Sequence, residues 1–219
     1  MIDSATRSFI STFIDGWDRK SRFYCAKEPF YSTFILDFKR LYPQFKFLLM
    51  IRDARGSMNS LLNRIHYWNS SDLARNVKEW NDFTTESVNG CNRVGPKHCK
   101  VVIYEHLVLN KSHVLRNIMN FLNIEWSDEM MHHQKYYGTR ISKQKGGWSN
   151  DQIKRPIYTD SINVWAKNLT KAQVNVINKH ATILSALGYD PNAMNSFNSH
   201  PIDFKCISST KNDTHSFEC

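Results

Sequence analysis

Two kinds of apolar run alternate along this chain. Phe45 to Ile51 and Lys100 to Tyr104 are short and nearly unbroken, whereas the longer stretches place an apolar residue every third or fourth position. The short runs predict strands buried on both faces of a parallel sheet, because a strand with one wet face would alternate. The longer ones predict amphipathic helices. Ile2, Ala5, Phe9, Ile10 and Phe13 form one, stopped by Gly16, and Phe34, Ile35, Phe38 and Leu41 form a second, stopped by Pro43. Leu73, Val77, Trp80 and Phe83 mark a third, and Leu115, Ile118, Met119 and Leu122 a fourth beginning near Ser112. The last opens on Thr170 as N-cap, carries Val174, Ile177, Ala181, Leu184 and Leu187 on one stripe, and closes at Gly188. Strands alternating with helices predict an α/β fold with a mostly parallel, doubly wound sheet.

Between these elements the pattern breaks in informative places. Arg22 to Cys25 is a short strand candidate, and Pro29 keeps Glu28 out of the α region, which makes a loop there. From His132 to about Asp160 periodicity fails while Gly138, Gly146, Gly147, Pro156 and several lysines and arginines accumulate. A long basic loop in a compact domain is either functional or disordered. Beyond Pro191 the chain is rich in Asn and Ser and poor in apolar residues, so one domain over 1–191 and a loosely held polar tail over 192–219 are expected.

The first buried run carries candidate chemistry at its end. Arg52-Asp53-Ala54-Arg55-Gly56-Ser57 follows the strand directly and leads into a helix on which Ser57, Ser60 and Arg64 share one face. In open parallel sheets ligands bind outside the carboxyl ends of the strands. Two guanidiniums, hydroxyls and a helix N-terminus converging there suit an anion. The same residues would also serve as an ordinary solvated helix face.

Charge strengthens the anion reading: 29 Lys and Arg against 20 Asp and Glu give a net +9, which suits a negatively charged partner. A nucleic acid is the weaker choice, since no groove-reading motif is present and the basic residues are dispersed. No window approaches the roughly 18 to 20 apolar residues of a membrane span. Among the five cysteines, Cys91 and Cys99 bracket a turn holding Gly95 and Pro96, a spacing that suits a disulfide in an oxidising compartment or two free thiols in a reducing one. Sequons at Asn69, Asn110, Asn168 and Asn212 lean toward secretion. His132 and His133 are adjacent, so they do not share a helix face, and no second ligand cluster accompanies them; no metal is expected.

Several motifs in order then resemble one family. Cys25-Ala26-Lys27-Glu28-Pro29-Phe30, the run Lys46 to Met50 leading to Arg52-Asp53, and the Cys91/Cys99 pair before Tyr104-Glu105 are three of them. Trp148-Ser149-Asn150-Asp151-Gln152-Ile153-Lys154 and Leu187-Gly188-Tyr189-Asp190-Pro191 complete the set. From about Ile2 to Pro191 the chain resembles the carboxyl-terminal two-thirds of a tyrosylprotein sulfotransferase. The resemblance implies a P-loop-type α/β sulfotransferase that moves the sulfuryl group of 3′-phosphoadenosine 5′-phosphosulfate to tyrosine hydroxyls of secretory-pathway proteins in the Golgi. It implies Arg52, Ser60 and Arg64 as ligands of the 3′-phosphate and Tyr104 as a further nucleotide contact. Lys27 and Ser149 become the transition-state stabilisers, and Ser149, Asn150, Asp151, Gln152, Ile153 and Lys154 a loop over the cofactor. A Cys91–Cys99 disulfide, acidic tyrosine-containing acceptor proteins and a homodimer belong to the same implication.

Two departures qualify it. The family's membrane anchor, first strand, phosphate-cradling loop and catalytic glutamate would all lie before Met1, so the printed chain is expected to lack them, along with the upstream partner of Cys25. Neither Glu28 nor Glu105 is a substitute base. Val164 stands where the family has a lysine before the tryptophan, Trp165 here, which weakens that cofactor contact. The alternative to an enzyme is a non-catalytic remnant that holds adenosine 3′,5′-bisphosphate or pairs with an active homologue.

Overall fold

The computed structural model of the protein describes residues 4–6, 8, 23–27, 29–64, 72–139, 141 and 154–195. A 3-10 turn, Pro29–Phe34, leads into α1 (Ile35–Leu41), β1 (Phe47–Ile51), α2 (Ala54–Arg64), α3 (Leu73–Val94) and β2 (Cys99–Ile103). Then come α4 (Tyr104–Leu109), α5 (Lys111–Leu122), a kinked 3-10 segment Asp128–Tyr136, α6 (Trp165–Asn168) and α7 (Lys171–His180). β1 and β2 pair in parallel, with Phe47 opposite Cys99 and Ile51 opposite Ile103, and make the one sheet among the described residues. Parallel neighbours need a long crossover, which α2 and α3 supply. Both strands therefore end at the same edge, and the turns after Ile51 and Ile103 lie side by side.

The 22-residue α3 is the pillar of the fold. Asp72 caps it by accepting the Arg75 N–H at 3.1 Å, and Gly95 at φ 80° ends it, with its N–H returning to the carbonyls of Cys91 and Asn92. Val77, Thr84, Val88 and Cys91 are buried at helical spacing between these ends. Val77 and Val88 of that stripe meet Ile51 and Ile103 on the sheet and Ile177, Ala181, Leu184 and Leu187 from the C-terminal part in one core, while Cys91 packs with Ile35 and Cys99 in a second. A disulfide joins Cys91, in the last turn of α3, to Cys99, the first residue of β2. Of the two thiol states open to this pair, the bonded one is present. Among the described residues no helix is long and apolar enough to cross a membrane.

Four local expectations are corrected. β1 is covered on one face only: Leu48 and Met50 are 41% and 50% exposed, because no described element lies over that side while α3 packs the other. Residues 23–27 form no strand and are exposed, there being no described strand to pair with them. Phe34 sits in the 3-10 turn ahead of α1 and faces out at 53% exposure, so α1 buries Ile35 and Leu41 without it. The last helical stripe is not one helix. α7 stops at His180, and Asn81 of α3 accepts the Ile183 N–H at 3.0 Å and the Thr182 hydroxyl at 3.2 Å. With that donor diverted, the chain turns through a 3-10 segment, Thr182–Leu184, which still buries Ile183 and Leu184. The N-terminus of α7 is as expected: the Thr170 hydroxyl accepts from Gln173 N–H and the Gln173 side chain accepts from Thr170 N–H, a reciprocal capping box. Residues 4–6 and 8, the described part of the first expected helix, are helical.

Candidate functional site

At the shared end of the strands, alternate residues point to opposite environments. Arg52 and Tyr104, the first residues beyond β1 and β2, lie on the open side and are half-buried. The Arg52 guanidinium stacks on the Tyr104 ring at 4.7 Å. Both reach Ser161, in the turn before α6: Arg52 Nη2 donates to the Ser161 carbonyl at 2.8 Å, and the Tyr104 and Ser161 hydroxyls share a hydrogen bond of 2.8 Å. Arg52 Nε is buried and has no hydrogen-bond partner. A Cβ at Gly56 would sit 3.0 Å from that nitrogen, so the absent side chain is what lets the guanidinium lie against the first turn of α2. A cation with an unsatisfied donor, a phenol and a hydroxyl in one cluster suit an oxyanion such as a phosphate.

The next residues on each turn go inward. Asp53, Arg55 and Glu105 are fully buried. Asp53 and Arg55 form a bidentate ion pair, with Nη2 to Oδ2 at 2.8 Å and Nε to Oδ1 at 3.0 Å, while Asp53 Oδ1 also accepts the Arg55 N–H at 2.8 Å. Arg55 further stacks on Trp165 at 4.3 Å and donates Nη1 to the carbonyls of Asp190 and Ala193. Glu105 accepts the Asp53 N–H at 3.1 Å through Oε1 and the Tyr189 hydroxyl at 2.7 Å through Oε2. The two strand ends and the segment 189–193 are thereby bolted together by polar groups in the core.

Burial pushes the Glu105 carboxyl above its ordinary range, outweighing the hydrogen bonds from Tyr189, its own backbone N–H and Asp53 that favour the charged form. The nearby Asp53 charge acts in the same direction as burial. Tyr189 is pushed up as well, by burial first and then by the Glu105 charge. A carboxylate enclosed in this way, with both oxygens engaged, has no access to an acceptor hydroxyl.

The expected site residues are distributed unevenly. Arg52 and Tyr104 are brought together; Ser60 is half-buried in α2 two turns beyond Arg52. Arg64 closes α2, and its side chain is not among those described. Lys27 is exposed in the irregular stretch 23–27, and Lys154 lies over the Tyr137 ring at 5.5 Å. Ser149, Asn150, Asp151, Gln152 and Ile153 lie outside the described residues. Ser161 was not singled out, and Asp53, Arg55, Glu105 and Tyr189, though they stand in the quoted motifs, were not expected to form one buried cluster. Asp53 did carry a signal, an Asp two residues ahead of a backbone N–H it can cap at the mouth of a helix; nothing local distinguishes Ser161 from other turn serines. An open cavity of about 540 Å³ lies elsewhere, between α1 and α3, bordered by Asp82 and Glu86. Arg93 also lines it, and two carboxylates against one guanidinium suit an anion less well.

A sheet carrying an anion site beyond its strand ends, flanked by helices, is the architecture of a sulfotransferase domain. The fold is similar to the sulfotransferase domain from the curacin biosynthetic pathway, with a TM-score of 0.58 over 84% of this chain and 68% of that one at 16% identity. Residues 1–128 match the sulfotransferase family. Relatives include protein-tyrosine sulfotransferase A of Caenorhabditis elegans, 35% identical over 88% of this chain and 52% of that protein. Protein-tyrosine sulfotransferase 2 of Gallus gallus is 31% identical over 92% and 56%, and a putative protein-tyrosine sulfotransferase of Caenorhabditis briggsae 30% over 87% and 69%. The chain belongs to the protein-tyrosine sulfotransferase family, and it spans about half the length of the first two of these relatives.

Proposed function

We propose that the protein is a protein-tyrosine sulfotransferase of the secretory pathway, acting in the Golgi lumen on tyrosines set among acidic residues. Its donor is 3′-phosphoadenosine 5′-phosphosulfate, which supplies an activated sulfuryl group. The observation that carries this reading is the Arg52–Tyr104 stack at the strand ends, with Arg52 Nε buried and unpartnered. Arg52, Ser60 and Arg64 hold the 3′-phosphate, Tyr104 makes a further contact to the nucleotide, and Ser149 to Lys154 cover it.

Sulfuryl transfer resembles phosphoryl transfer, in which positioning and charge stabilisation do most of the catalysis. The acceptor phenol oxygen forms a bond to sulfur as the bond from sulfur to the 5′-phosphate oxygen breaks. Adenosine 3′,5′-bisphosphate leaves, and the phenol proton, with an unperturbed pKa of about 10, passes to a base. Lys27 and Ser149 donate hydrogen bonds to the oxygen on which charge builds. The net charge of +9 favours acidic acceptors. The bonded Cys91–Cys99 pair agrees with an oxidising compartment.

The test is transfer of radiolabelled sulfate from the nucleotide donor by the full-length protein to an acidic peptide with one tyrosine. Label is expected on that peptide and absent from its Tyr→Phe counterpart. No label on the tyrosine peptide overturns the reading.

A further inference from the structure

The turn that carries Ser161 has no role in the function proposed above, yet it touches both Arg52, assigned to the 3′-phosphate, and Tyr104, assigned to the nucleotide. Its backbone carbonyl accepts from Arg52 and its hydroxyl bonds to Tyr104, both at 2.8 Å. We propose that Ser161 is a positioning residue of the nucleotide site, the carbonyl aiming Arg52 and the hydroxyl aiming Tyr104 toward the 3′-phosphate; this rests on the reading of Arg52 as a 3′-phosphate ligand and of Tyr104 as a further nucleotide contact.

Three features make the turn a strut. Ile162 and Trp165, which follow Ser161 in the chain, are buried at 5% and 0% exposure. Trp165 is in turn stacked beneath Arg55, whose own position is fixed by the Asp53 ion pair and two carbonyls. Ser161 thus presents its two oxygens from a foundation that belongs to the core, not from a free surface loop. On the other side, Gly56 leaves just enough room for Arg52 to lie flat between Tyr104 and the helix. The guanidinium is stacked on one face and anchored at one nitrogen, with its Nε donor still unsatisfied. A side chain as long as arginine otherwise loses considerable rotamer freedom when it grips a ligand, and holding it beforehand lowers that cost.

The division between carbonyl and hydroxyl gives a selective test. Ser161→Ala keeps the carbonyl bond to Arg52 and deletes the hydroxyl bond to Tyr104. Calorimetry on the full-length protein compares adenosine 3′,5′-bisphosphate with adenosine 5′-phosphate, which lacks the 3′-phosphate. Ser161→Ala is expected to weaken the bisphosphate by about 5-fold, the size of one net hydrogen bond, and to leave adenosine 5′-phosphate within about 2-fold. In a Tyr104→Phe background, where the shared bond is already gone, the same substitution is expected to add less than about 2-fold. Unchanged or tighter binding of the bisphosphate overturns the proposal. So does an equal loss for both nucleotides, which would mark a structural effect, or additivity with Tyr104→Phe. If the wild-type protein itself does not prefer the nucleotide with the 3′-phosphate, the reading of Arg52 and Tyr104 fails first and takes this inference with it.

Discussion

Two clusters sit within a few residues of each other at the strand ends, built from neighbouring positions of the same two turns. Arg52, Tyr104 and Ser161 face the open side, half-buried, with a donor unsatisfied. Asp53, Arg55, Glu105 and Tyr189 face the core, where each charged group has a hydrogen-bonding partner. The chemical types are nearly the same, arginine and tyrosine in both, yet one set is arranged to accept something and the other is closed. Satisfaction of the polar atoms, rather than residue type, separates a ligand site from a structural one.

The contrast is broken most severely at Arg55. Arg55→Ala strips the counter-ion from fully buried Asp53 and releases Trp165 and the 190–193 segment. A loss of about 3–5 kcal/mol of unfolding free energy is expected, read by denaturant titration, and a loss under 1 kcal/mol would mean the buried cluster is not structural.

Arg52→Ala should do the reverse. Its stability should stay within about 1 kcal/mol of wild type, since Arg52 is half-exposed and makes one hydrogen bond to a carbonyl. Its affinity for adenosine 3′,5′-bisphosphate should fall by about 1.5–3 kcal/mol, the range for a hydrogen bond to a charged group. Parallel thermal and calorimetric measurements separate the two quantities; if stability falls while affinity holds, the assignment of the two clusters is inverted.

The smallest effect sharpens the picture. Because burial holds the Glu105 carboxyl above the ordinary value of 4.5, the folded state binds its proton more tightly than the unfolded state. Its contribution to stability is then fully present below the unfolded value and lost as pH rises through the folded one. Glu105→Gln removes that titration and keeps a polar partner for Tyr189. Stability at neutral pH should change by about 1 kcal/mol or less, and its decline with pH above about 4.5 should flatten, as followed by urea unfolding between pH 5 and 8. An unaltered slope would show that Glu105 is not the group responsible.

How far the chain could be read without its structure differs by region. Parallel strands, their crossover and the capped helix at Thr170 follow from periodicity and local hydrogen-bonding chemistry, which act over a few residues and so are written in the sequence around them. The strand-end position of Arg52 and Tyr104 follows too, because the first buried run stops just before Arg52, the second ends on Tyr104, and parallel pairing sets the two ends side by side. What escaped is what depends on partners far along the chain. Asn81 ends a helix a hundred residues away by taking the Ile183 N–H. Arg55, to which the sequence reading gave no role, is turned inward, where its guanidinium donates to carbonyls of 190 and 193 that no local pattern announces.

The sequence by itself determined the class of fold and the place of the candidate anion site, since hydrophobic period and helix capping are short-range and strand ends mark the ligand edge of a parallel sheet. Only the tertiary structure showed that Arg55, three residues beyond Arg52, belongs to the core. That placement rests on desolvation: a guanidinium goes inside only where a carboxylate, carbonyls and an aromatic face are assembled to receive it, and those groups come together only when the chain has folded.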